Sequence, residues 1–75
     1  MNAKRREKLK EAINKLIEAR DGIDCVREEE DDTRLNMPFN LQNSERYETS
    51  EECSRSMDNA IMSIDEAIGA IEEAI

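Results

Sequence analysis

An apolar unit recurs every seven residues at both ends of this chain, and that recurrence limits what the chain can become. It reads Leu9–Ala12–Ile13, Leu16–Ala19 and Ile23–Val26 in the first third, and Met57–Ala60–Ile61, Ile64–Ala67–Ile68 and Ile71–Ala74–Ile75 in the last. A heptad of apolar residues keeps one stripe of a helix turned toward a partner. The pattern therefore predicts two amphipathic helices that pack together. With Leu9 at position a, helix 1 has a = Leu9, Leu16, Ile23 and d = Ala12, Ala19, Val26. Helix 2 has a = Met57, Ile64, Ile71, d = Cys53, Ala60, Ala67, Ala74 and e = Ile61, Ile68, Ile75.

Local signals set the ends. Asn2 is an N-cap for helix 1, since its short polar side chain can take a free backbone N–H. Asn43-Ser44-Glu45 starts helix 2, with Glu45 and Glu48 in the first turn. A second start signal, Thr49-x-x-Glu52, has the form of a capping box and allows a restart there. Pro38 disfavours helix at Met37. The expected organisation is one domain over 1–75, with helix 1 over about 3–33, a connection over about 35–43 and helix 2 over about 44–75. Gly22, which costs about 1 kcal/mol against Ala inside a helix, marks either a close neighbour or a tolerated glycine.

A short connection makes the helices antiparallel. The heptads then pair Ile23 with Met57, Leu16 with Ile64 and Leu9 with Ile71, and Val26 with Cys53, Ala19 with Ala60 and Ala12 with Ala67. This register places the tip at Phe39–Asn40. It also brings the basic start of the chain (Lys4, Arg5, Arg6, Lys8, Lys10) beside Glu72 and Glu73, so that charges opposing each helix dipole offset one another.

A lone hairpin has little interior, and domains this small usually need disulfides, metal or oligomerisation. The Ile61, Ile68 and Ile75 stripe, with Ile13 and Ile17 from helix 1, is the expected oligomer interface. The predicted fold is all-α: an antiparallel two-helix hairpin with an Ala-rich seam that oligomerises into a four-helix bundle.

Charge narrows the function. The chain carries −8 overall. Residues 1–20 hold seven Lys/Arg against three Glu, whereas residues 21–75 hold four Arg against sixteen Asp/Glu. A nucleic-acid binder is normally basic, so direct nucleic-acid binding is disfavoured; an acidic surface can instead face a basic protein groove. There is no histidine, which excludes Ser-His and Cys-His catalysis. Two cysteines without a spacing motif make no closed zinc site. The chain is expected to be non-enzymatic, with no cofactor and no metal. No apolar run approaches the roughly 20 residues of a membrane span, and the basic start lacks the apolar stretch of a signal peptide. The expectation is a cytoplasmic protein with reduced cysteines.

Continued toward the tip, the register turns polar: Glu30, Thr33, Ser50 and Arg46 fall at core positions, flanked by Arg20, Arg27, Arg34, Tyr47 and Ser54. One reading is splayed helices, with Arg27, Arg34 and Arg46 in solvated ion pairs with Glu28 to Asp32, Glu48 or Glu51. The other is a binding site for a small anion, a nucleotide or a peptide, built from Arg27, Arg34, Phe39, Gln42, Ser44, Arg46 and Tyr47. Guanidiniums fork onto phosphate or carboxylate, aromatic rings stack, and a helix start presents free N–H groups. Separately, Glu51, Asp58, Asp65 and Glu72 repeat at position b, a solvated face or an imitation of a phosphate row.

The segment Met37-Pro38-Phe39-Asn40-Leu41-Gln42-Asn43-Ser44-Glu45-Arg46-Tyr47-Glu48, preceded by Asp31-Asp32 and followed by the Ala- and Ile-rich tail, resembles small acidic proteins of phages and prophages of Firmicutes, especially clostridia. Phe39 and Asn43 depart from the polar residue and glycine of that pattern. The resemblance implies a small binding protein that acts on host or phage machinery, host defence included. The expected partners are the chain itself and a host protein or small anionic ligand. An acidic inhibitor of a host protein and a self-assembling structural accessory are the alternatives.

Overall fold

The computed structural model describes all 75 residues. Helix α1 spans Ala3–Leu35, a 3-10 turn, η1, spans Phe39–Leu41, and helix α2 spans Glu45–Ala74. The two long helices pack on one another along a slender hairpin of 60 × 15 × 11 Å.

The ends obey their local chemistry. Asn2 Oδ1 accepts from the Arg5 N–H at 2.8 Å, and Ser44 Oγ accepts from the Tyr47 N–H at 3.2 Å. Each side chain satisfies a donor that the first helical turn leaves free. α1 runs two residues past its expected end because Asn36 closes it. Both the Asn36 backbone N–H and its Nδ2 donate to the Asp32 carbonyl. Pro38 then prevents continuation, and the 3-10 turn is closed by Leu41 N–H donating to the Pro38 carbonyl at 2.9 Å. α2 is unbroken from Glu45. The Thr49 signal does not restart it, since Ser44 already supplies the cap.

The expected a/d seam is not the one adopted: Ala19, Val26, Cys53 and Ala67, all at d, are exposed. Cross-helix contacts join Arg34 to Ser50, Arg27 to Asp58 and Arg20 to Asp65. The turn between the helices is Phe39–Leu41, where the tip was expected. Residues 1–8 are exposed. No ion pair links Lys4 to Lys10 with Glu72 or Glu73; the Lys10 ammonium pairs with Glu7 instead.

The rotation has a hydrophobic cause. The adopted seam uses positions a and e on both helices, so that Ile68 is 7% exposed while Ala19, Ala67 and Val26 stay exposed. Each methylene buried is worth about 0.8 kcal/mol, so turning Ile61 and Ile68 inward gains more than turning Ala60 and Ala67 inward. Four of the residues expected to form an oligomer face are thereby engaged inside the hairpin: Ile68 is buried, and Ile13, Ile17 and Ile61 are half-buried. Ile75 remains exposed. Gly22 has no neighbour within 4 Å of where a Cβ would stand, so nothing in this chain requires it.

Candidate functional site

The rotation from a/d to a/e divides the hairpin into two unlike flanks. Residues at e lean toward b, and in an antiparallel pair the b flanks of both helices share one side while the d flanks share the other.

The b side carries a ladder of arginines. Arg20 Nη1 donates to Asp65 Oδ1 at 2.8 Å. Arg27 Nη2 donates to Asp24 at 2.7 Å, and its Nη1 lies 3.2 Å from Asp58. Arg34 makes the densest set. Its Nη1 donates to Ser50 at 3.1 Å and Ser54 at 2.9 Å, its Nη2 donates to Asp31 at 2.7 Å, and its guanidinium lies 6.0 Å from the centre of the Tyr47 ring. The Ser54 hydroxyl donates to the same Asp31 oxygen at 2.7 Å. Ser50 and Ser54 are buried, and the Arg34 side chain is only 17% exposed. This is a closed polar layer in which nearly every group has a partner.

Proton affinities follow the bonds. The Ser54 hydroxyl, then the Arg34 guanidinium, hold the Asp31 carboxyl below its usual value. Asp65 raises Arg20, and Asp24 raises Arg27. The carboxylates and guanidiniums stabilise each other's charged forms. One atom is left over: Arg27 Nε is buried without a partner.

These contacts bear on each expected site residue. Arg27 and Arg34 have their charge met within the chain, and Tyr47 offers its ring to Arg34. Their partners include Asp24, Asp58, Ser50 and Ser54, which were not among the acids expected to pair with them. A sequence signal for this existed: Asp24 and Asp31 each stand three residues before an arginine, one helical turn away. Two of the four acids in the b row, Asp58 and Asp65, are likewise paired with arginines of α1.

Arg46 and Ser44 lie elsewhere. On the d side near the tip, a groove of about 490 Å³ is walled by Glu30, Thr33, Met37, Glu45, Arg46 and Cys53, among others. A second hollow of about 400 Å³ adjoins it, between Met37, Pro38, Leu41, Ser44 and Arg46. Arg46 has no ion-pair partner there, and two acids stand beside it. Phe39, Gln42 and Tyr47 line neither hollow. Phe39 points into solvent at 87% exposure, Leu35 is 78% exposed, and Leu41 is exposed beside them in sequence. Cys25 and Cys53 are free and exposed. No helix is long and apolar enough to cross a membrane.

No protein-family model matches this chain, and no curated protein or solved structure is significantly similar to it.

Proposed function

We propose that this chain is a non-enzymatic binding protein that presents the tip of its hairpin to another protein. The observation that carries the reading is the exposure of Phe39 and Leu35. The chain has one phenylalanine and sets it in water at the turn, where burial of such a side chain on a partner would return roughly 1.5–3 kcal/mol. Aromatic residues at an exposed turn are the type that anchors interfaces.

The electrostatics favour a protein partner over a small anion. Of the three arginines expected to bind an anion, Arg27 and Arg34 are already compensated, and Arg46 shares its groove with Glu30 and Glu45. An apolar knob on an acidic collar suits an apolar pocket with a basic rim. The likeness of the linker to phage and prophage proteins makes host machinery, a defence system included, the class of partner.

The test is capture from a bacterial host lysate with the native chain and with a Leu35→Ser/Phe39→Ser variant, the retained protein being identified and then purified for titration. The expected result is one protein bound by the native chain and lost in the variant, with helicity unchanged. Equal capture by both chains refutes the reading. So does a nucleotide-induced thermal shift that Arg46→Ala abolishes, which would return the site to a small anion.

A further inference from the structure

The molecule has more surface than a compact protein of its size. Its accessible area is 5798 Å² at 8.7 kDa. Folded monomers of that mass expose about 4,700 Å² by the usual scaling of area with mass. The excess, about 1,100 Å², exceeds the roughly 800 Å² that each partner gives up in a standard interface. The excess comes from the slender shape of a lone hairpin and is enough area for such an interface, and the two flanks are not equal candidates for it.

The b flank is closed by its ion pairs. The d flank is open, and beyond the groove near the tip it is smooth. On α2 its d and g positions are Thr49, Cys53, Ser56, Ala60, Ser63, Ala67, Ala70 and Ala74, eight in succession without a charge. On α1 the same flank carries Ala12, Ala19, Gly22 and Val26, and Val26 is 55% exposed. Small side chains let helices approach closely, as ridges settle into shallow grooves.

Charge on this flank identifies the occupant. It lies at the two ends of α1, with Arg5, Lys8 and Lys15 toward the start and Glu29 toward the tip with Asp32 at its edge, and at the first d position of α2, Arg46, which stands beside Glu30 and Glu45 in the tip groove. Lys8 and Glu29 share one stripe three heptads apart, about 32 Å along the helix. They cannot meet within one chain. A second copy laid face to face and end for end brings Lys8 of each over Glu29 of the other, and Arg5 over Asp32. The acidic walls of the tip groove, Glu30 and Glu45, then receive the basic first turns of α1 from the second copy.

We propose that two copies of this chain stack through the d flanks as an antiparallel, two-fold symmetric four-helix bundle, with α1 lying across α1 of the second copy and α2 across its α2. Arg5 and Lys8 read Asp32 and Glu29 of the opposite copy. The surface takes in the groove beside the tip, and both Phe39 side chains remain outside it at opposite ends.

The test is sedimentation equilibrium of the whole chain, with circular dichroism to follow the fold. A dimer at micromolar concentration is expected, weakening as salt rises. Ala67→Glu should give a monomer of unchanged helicity. Lys8→Glu and Glu29→Lys should each weaken the dimer about tenfold, since each sets like charges together at two symmetric places. The double variant should restore it, although those two residues are too far apart to touch in one chain. A monomer at 100 micromolar, a dimer indifferent to Ala67→Glu, or single exchanges that the double variant does not repair overturns the proposal. None of these outcomes depends on whether the tip binds a host protein.

Discussion

Ile68→Ala tests the adopted seam most directly. Ile68 is the one apolar side chain less than a tenth exposed. The substitution removes three carbon groups, each worth about 0.8 kcal/mol when buried. The seam is a single layer open on both sides, so little enclosed cavity is left behind, and the cavity penalty of a deep core hardly applies. The expected loss is therefore about 2–2.5 kcal/mol. A chain of this length typically has roughly 4–11 kcal/mol of total stability. With a urea slope of about 1 kcal/mol/M for a small protein, the midpoint should fall by about 2 M. Ile75→Ala removes the same groups from a side chain that is 37% exposed at the end of the chain; it should cost less than about 1 kcal/mol on the same grounds. Both are read by circular dichroism at 222 nm at one protein concentration, because association would otherwise shift the midpoint. Equal costs for the two substitutions, or a loss at Ile68 below about 0.5 kcal/mol, the range of ordinary surface changes, would refute the a/e seam.

Other outcomes follow from the same contacts. Arg34→Met should destabilise the hairpin by about 1.5–2 kcal/mol, the low part of the range for hydrogen bonds to charged groups, because Ser50 loses its donor and Asp31 keeps only the Ser54 hydroxyl; chemical denaturation measures it. The Asp31 carboxyl is held below its unfolded value of 3.8, so its contribution is present above about pH 4 and is lost as pH falls through the folded value. The stability difference between the native chain and Asp31→Asn should therefore be full near neutrality and shrink below about pH 4. Gly69→Ala should stabilise by about 0.5–1 kcal/mol, since a Cβ there meets nothing within 4 Å and alanine is the better helix former. Ser44→Ala should cost about 1 kcal/mol by freeing the Tyr47 N–H, visible as a lower thermal midpoint.

Much of the architecture was legible in residue order alone. The heptads specify two helices, Pro38 and the asparagines specify where they part, and Asn2 and Ser44 specify where they begin, because each of these is a local property of a few neighbouring residues. The antiparallel hairpin follows from the short connection. The tip was less legible. That Arg27 and Arg34 would be neutralised was one of two open readings, and Asp24 and Asp31, one turn before them, were the local hint. The roles of Ser50, Ser54, Asp58 and Asp65 had no local signal, since each depends on which turn of α1 lies across from it.

Which face of each helix is covered is what the tertiary structure decided. Alanine at d and isoleucine at e are both compatible with a heptad. The energy that separates them belongs to the packed pair: isoleucine withdraws more surface from water than alanine, and Arg20 and Arg27 reach Asp65 and Asp58 across the seam, in addition to the carboxylates Arg27 and Arg34 find within α1. Sequence by itself determined that two helices fold back on each other. Packing determined which faces meet, and so left Phe39 and much of the alanine flank exposed.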